Sequence, residues 1–308
     1  MGLIAETMRS LRFFESGPQP ITAARVVEWL SGPATATGVK VSPEGALKLS
    51  AVWACVDLVS RDVARTPIPL YTKSDRKREP AEGDPRYRLL RVQPNPYMSA
   101  HTFKQTLQAH KMLRGNAFAE IERDEAGNVR YLWPLNPINM DKPVLSAAGT
   151  LLYTYHVPVT GQAVALPQDR VLHIRGLSPD GFWGYSPIEL HRETVGLGFA
   201  QRDYGARFYG NNSVPGGVLQ KKEGTLSAEA IARLTRDWEA LHRGLDNAHR
   251  VAVLEDGLTW QAIGINHRDA QYLEGMKYNR IEIAAGIYHV PPHKIGEMDR
   301  ATFSNISE

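Results

Sequence analysis

Trp183-Gly184-Tyr185-Ser186-Pro187-Ile188-Glu189 and Tyr288-His289-Val290-Pro291-Pro292-His293-Lys294-Ile295-Gly296 frame the part of this 308-residue chain whose reading decides the fold. The first stretch opens a helix. Ser186 can cap the free amides of the first turn, Glu189 stands three residues on to complete a capping box, and Pro187 falls at the first helical position, where its missing N–H costs nothing. Leu197, Phe199, Ala200, Tyr204 and Phe208 recur at helical spacing, and Gly210-Asn211-Asn212 stops the run. The spacing predicts one helix from Ser186 to about Tyr209, roughly 36 Å long at ~1.5 Å per residue. The second stretch closes another helix. It starts near Asn266, a good N-cap, with Asp269 in the first turn, and Leu273, Met276, Arg280, Ile283 and Ile287 follow a three-four alternation. Pro291-Pro292 ends it, because a residue before proline avoids the helical region. Two such rods carrying a small domain read as an assembly or docking device. Two ordinary core helices of a single α+β domain fit the same periodicity.

The insert between the rods predicts a small α/β unit. Val214 to Lys221 reads as a strand. Ser227 caps a helix with apolar positions Ile231, Leu234, Trp238 and Leu241, closed by Gly244. Val251 to Leu254 and Leu258 to Ile263 read as strands joined by a turn at Glu255-Asp256-Gly257.

Ahead of the rods the pattern is α+β. Ser42-Pro43 starts a helix through Leu47, Val52, Cys55, Val56, Val59 and Val63 to the prolines at 67 and 69. A strand over Ile68 to Tyr71 leads into a charged loop holding Arg76-Lys77-Arg78. Pro94-Asn95-Pro96 is a turn, and Ser99 caps a helix to Leu113 that Gly115 closes. Strands follow at 117–123, 129–135, 151–157, 163–166 and 171–174, with Gly127-Asn128 in the first turn between them. Runs of strands after helices argue against a parallel α/β sheet. Residues 31–40 look like a linker, and Met1 to Glu15 like a short amphipathic arm.

Composition narrows the function classes. No apolar run approaches the ~20 residues that cross a bilayer. The N-terminus lacks a signal-peptide core, and Glu6 breaks the myristoylation pattern after Gly2. A cytoplasmic chain, or one in a particle assembled there, is expected. The lone Cys55 excludes an internal disulfide and reads as a buried hydrophobe. A net charge of +3, with basic residues spread along the chain, suits weak and transient DNA contact rather than a tight footprint.

The catalytic motifs are missing. There is no Gly-x-x-x-x-Gly-Lys-Ser/Thr loop for nucleotide phosphates and no Gly-x-Ser-x-Gly elbow. Ser186 reads as a cap, His173 as a strand residue, and His289 and His293 as loop residues separated by two prolines. No catalytic residue, metal site or cofactor is expected. Asn211-Asn212-Ser213 fits a glycosylation pattern without a secretory context.

Four pieces of the chain carry a family resemblance from Ser42 onward. They are Ala46 to Pro69 with Val52-Trp53-Ala54-Cys55-Val56; Pro94-Asn95-Pro96 with Gly115-Asn116-Ala117; Val171-Leu172-His173-Ile174 with Gly184-Tyr185-Ser186-Pro187; and Ile287 to Pro292 with Ala301-Thr302-Phe303-Ser304-Asn305. In order and spacing they resemble a portal protein, or head-tail connector, of long-tailed double-stranded DNA bacteriophages. The resemblance implies a dodecameric ring at one capsid vertex through which DNA is packaged and ejected. Within it, residues 1–41 are arm and linker, 42–185 an α+β wing, 186–212 and 266–288 stem helices, 213–265 a clip, and 289–308 a tunnel-loop segment. It further implies DNA-channel lining by Lys277, Arg280, His293, Lys294 and Arg300, and clip docking through Lys221, Lys222, Arg236 and Arg243. Expected partners are a terminase packaging motor, a head-tail adaptor, the major capsid protein and transiently held double-stranded DNA, with no membrane. The expected location is the virion, and the host cytoplasm during assembly. Family members continue into a further helix and a C-terminal crown, so a chain stopping at Glu308 implies truncation. Another head-completion or adaptor protein and, more remotely, a hydrolase are the competing readings.

Overall fold

Ser42 caps the first helix as its sequence predicts: its Oγ accepts from the Gly45 amide at 3.0 Å. The computed structural model describes residues 35–74, 77–146, 149–210, 217–221, 227–242, 258–262 and 266–298. The arm, the strand expected at Val251 to Leu254, Gly244, and the chain from 299 on lie outside them. The single helix expected from Pro43 to the prolines is two. Helix α1 (Pro43–Ala46) ends in turns, Leu49 becomes extended at φ −85° and ψ 124°, and α2 (Ser50–Arg65) starts afresh. Side chains on α1 have their own anchors. Glu44 is held by Arg114 in a bidentate pair, and Ala46 has no exposure at all.

The expected strand over Ile68 to Tyr71 is shifted. A hairpin pairs β1 (Tyr71–Ser74) with β2 (Lys77–Pro80), so Lys77 and Arg78 lie exposed on a strand rather than in a loop. Helix α3 (Pro85–Arg91), which the apolar pattern does not announce, is capped by Asp84 accepting from Arg86 N at 2.8 Å. Helix α4 (Ala100–Arg114) behaves as expected, from its Ser99 cap to the left-handed Gly115.

Two three-stranded antiparallel sheets follow. In one, β3 (Asn116–Arg123) lies between β4 (Val129–Leu135) and β8 (Val171–Arg175). The other runs β5 (Val144–Leu145), β6 (Leu151–His156), β7 (Ala163–Pro167). Alternation along β3 divides the core. Ala117 and Ala119 meet Leu89, Phe103 and Leu107 of α3 and α4, while Phe118 joins Leu135, Tyr153, Tyr155 and Leu166. Full burial of a side chain such as Phe118 stabilises by roughly 1.5–3 kcal/mol. The Phe118 face also holds two buried carboxylates, each satisfied. Glu120 accepts from Arg170 at 2.6 Å, and Glu122 from Trp133 Nε1 at 2.7 Å.

The first rod is not one continuous helix. Helix α5 (Pro187–Leu190) stops at His191, φ −105° and ψ 29°, before α6 (Arg192–Gly210), whose 19 residues span about 28 Å. In the insert, β9 (Gly217–Lys221) pairs antiparallel with β10 (Leu258–Ala262). Ser227 caps α7 (Ala228–His242), its Oγ accepting from Ala230 N at 3.2 Å. The second rod, α8 (Asn266–Ile281), widens into a π-helical turn over Glu282–Ile287 instead of staying α-helical to Tyr288. Contacts divide the chain into two compact units: one up to Val195 together with Ile281 onward, the other Gly196–Arg280. Helices and antiparallel sheets are both present, so the fold is mixed.

Candidate functional site

Three glycines meet where the first rod leaves the sheets. Gly176 N donates to Gly115 O at 2.7 Å. A Cβ on Gly184 would lie 2.1 Å from Gly115 O, and one on Gly115 would lie 1.9 Å from Tyr185 O, so no side chain fits at either. Asn116, fully buried, locks the contact. Its Nδ2 donates to Arg114 O (3.1 Å) and Gly184 O (2.8 Å), and its Oδ1 accepts from Gly184 N (2.8 Å). Ser186 accepts from Glu189 N as the predicted cap. It also donates to Leu113 O at 2.7 Å, tying α5 to the end of α4. The loop between is pinned by Asp180, whose Oδ1 accepts from Phe182 N and Trp183 N and whose Oδ2 pairs with Lys142. The Phe182 amide bond, helped by Lys142, holds that carboxyl below its ordinary range.

His173 completes the junction. Asn116 Oδ1 already accepts from a backbone amide, so it also accepts from His173 Nε2 (3.0 Å), and Arg175 Nε donates to His173 Nδ1 (3.2 Å). Both ends therefore fix the neutral Nε2–H tautomer. Burial, with Arg175 adding to it, lowers the His173 pKa to about 3. The ring stacks on Phe118 at 4.3 Å. Neither Ser186 nor His173 is arranged as nucleophile or base; each is bound into the scaffold.

The end of the second rod is a second distinctive place. Cys55 on α2 packs with Ala284, Tyr288 and Val290. Burial raises the Cys55 thiol to about 11, and raises the Tyr288 phenol further above its usual range. His289 takes φ 54°, a left-handed conformation uncommon outside glycine, between the π turn and Pro291-Pro292.

The basic residues singled out in the sequence sit on several elements. On α8, Lys277 is exposed and Arg280 half-buried, three apart on one side of the helix, and both interact within the protein. In the 3-10 turn Pro292–Ile295, His293 is half-buried and Lys294 exposed. Arg236 is exposed on α7, and Lys221 ends β9. Lys222, Arg243 and Arg300 lie outside the described residues. Among the described residues, no His/Cys/Asp/Glu group is placed to hold a metal, and no helix is long and apolar enough to cross a membrane. Sequence reasoning missed Asn116 as a clamp, although Gly115-Asn116 and Gly184 stood out in two separate motif pieces.

The model of a family described as phage portal protein matches residues 50–308. A probable portal protein of Streptomyces phage phiC31 is 33% identical over 279 residues, covering 88% of this chain and 60% of its own length. The portal protein of Enterobacteria phage HK97 is 28% identical over 278 residues, covering 88% and 64%. A solved chain from the neck of an empty gene transfer agent particle superposes with a TM-score of 0.61 at 24% identity, over 85% of this chain and 73% of that one. This chain belongs to the phage portal protein family, and it spans less than two thirds of the length of those two viral relatives.

Proposed function

We propose that this chain is a subunit of the portal ring at one capsid vertex, the channel through which a phage genome is packaged and ejected. The observation that carries this is the state of the two rods. On α6, Leu197 and Tyr204 are exposed, as are Leu273 and Tyr278 on α8, with Tyr278 at 66%. Apolar side chains left in water on a rod fit a surface that neighbouring copies cover. The neck origin of the structural relative, in a particle computed with sixfold symmetry, supports a ring whose subunit number is six or a multiple, and twelve is our reading.

In this reading residues 42–185 form the wing, 186–212 and 266–288 the stem, 213–265 the clip and 289–308 the tunnel loop. Lys277, Arg280, His293, Lys294 and Arg300 line the channel at low grip, because each neutralised phosphate adds a counterion-release term that would hold DNA still. The clip, through Lys221, Lys222, Arg236 and Arg243, docks the packaging motor and later the adaptor, and the wing meets the major capsid protein. The protein resides in the virion and assembles in the host cytoplasm. The motor supplies the energy, so this chain hydrolyses nothing.

Replacing residues 214–264 with a short linker tests the reading. DNA packaging should be abolished while the sheets over 116–175 stay folded by circular dichroism. Packaging at wild-type efficiency by the shortened protein would move motor docking elsewhere.

A further inference from the structure

Between α3 and β4 the wing carries a cleft of about 450 Å³, within the range of about 300–1,000 Å³ common to ligand clefts. Leu89 and Val129 give it apolar lining, Tyr131 and Pro96 rigid walls, and Arg88 and Arg130 two guanidinium groups. The arginines supply the charge. Several guanidiniums of this unit meet carboxylates, among them Arg114 with Glu44, Arg170 with Glu120 and Arg86 with Asp84. Arg88 has no carboxylate within ion-pair distance among the described residues. Arg130 stacks over the Tyr131 ring at 5.1 Å. The carboxylate it influences, Asp124, is turned to the Asn128 amide at 2.7 Å. Among the described residues neither guanidinium is within ion-pair distance of a carboxylate, and both border a lining of apolar residues with Gln93 and Asn95. Next to the cleft, Tyr97 is 73% exposed beside Trp133, extending the apolar surface outward.

We propose that this cleft docks an acidic peptide, a short segment of a partner protein that brings a carboxylate to Arg88 and Arg130 and an apolar side chain to Leu89 and Val129. Guanidinium matches carboxylate in a planar, two-bond geometry, and the Tyr131 ring lies beneath the Arg130 guanidinium. A nucleic acid fits worse. Duplex DNA carries one charge per roughly 1.7 Å of axis and is met by a stripe of cations, whereas this cleft offers two cations around apolar and proline walls. The site stands on the α3–β4 geometry alone and does not depend on ring assembly.

The test uses the whole chain and fluorescence polarisation of two labelled peptides, Leu-Glu-Leu-Glu-Leu and its glutamine counterpart Leu-Gln-Leu-Gln-Leu. The acidic peptide should bind about tenfold or more tightly than the glutamine one, a difference of about 1.4 kcal/mol. That preference should shrink between about 0.01 M and 0.15 M salt, as screening shortens the reach of the charges. Arg88→Gln with Arg130→Gln should remove the preference, with thermal unfolding unchanged because both side chains are at the surface. Arg86→Gln, on a residue already paired with Asp84, should leave it intact. Equal binding of both peptides overturns the proposal. So does retention of the preference in the double variant, or equal loss on Arg86→Gln. A short DNA duplex that binds wild type more tightly than the acidic peptide, and loses that binding in the double variant, overturns it in favour of nucleic acid.

Discussion

Asn116 uses all four of its amide hydrogen-bonding capacities inside the fold, and its partners lie as far as 68 residues away in sequence. Asn116→Ala would leave the buried Gly184 N and the half-buried His173 Nε2 without their acceptor, at about 1–3 kcal/mol each. We expect a loss of about 3 kcal/mol in urea unfolding, and a loss under about 1 kcal/mol would contradict the clamp. The histidines make a pH prediction. Burial holds His173 near pKa 3, with Arg175 adding to it, and His110 near 4 although Glu44 pulls the other way, both below their ordinary 6.5. A depressed histidine is neutral when folded, and the unfolded chain takes up the proton. Stability is therefore full above about pH 6.5 and falls as pH drops toward 4 and then 3. The urea midpoint should drop on acidification to about pH 5, and His110→Leu should make that drop shallower. An unchanged midpoint would mean these rings titrate freely. None of this was legible as chemistry in the sequence, because a clamp is made of partners that only the fold brings together.

At the scale of elements, the readable features were those with local causes. Caps at Ser42, Ser99, Ser186 and Ser227, the left-handed Gly115, and the turn at Gly127 with φ 83° all behave as their residues require. Helix interruptions were not readable. The apolar periodicity runs on through Leu49 and His191, while the backbone leaves the helical region at Leu49 and at His191. Helix α3 was missed because its apolar face is short and only Leu89 is buried. Within the second unit the two rods approach closely. A Cβ on Gly205 would lie 2.3 Å from Tyr272 Oη, which donates to Gln201 O at 2.7 Å. Gly205→Ala gains about 1 kcal/mol of helix propensity but displaces that hydroxyl, at about 1–3 kcal/mol, so it should destabilise overall. With Tyr272→Phe in place the same change should turn neutral or stabilising, read by a thermal double-mutant cycle. The same sign in both backgrounds would show that the hydroxyl is not what Gly205 accommodates.

At the scale of the molecule, the candidate channel residues were visible only as charges. Whether Lys277 or Lys294 faces DNA is a property of an assembly, set by where a ring axis falls, and one chain does not encode it locally. The absence of phosphate-loop and nucleophile-elbow motifs, together with the structural engagement of Ser186 and His173, leads to a chemical prediction: purified protein turns over neither ATP nor esters. Turnover that survives repurification and disappears in Ser186→Ala would contradict it. The central claim is that copies of this chain close around a channel. It is tested most directly by particle mass together with class averages from electron microscopy on the purified protein at high concentration. The account predicts closed rings with a central hole, whereas a strictly monomeric species at every concentration would contradict it.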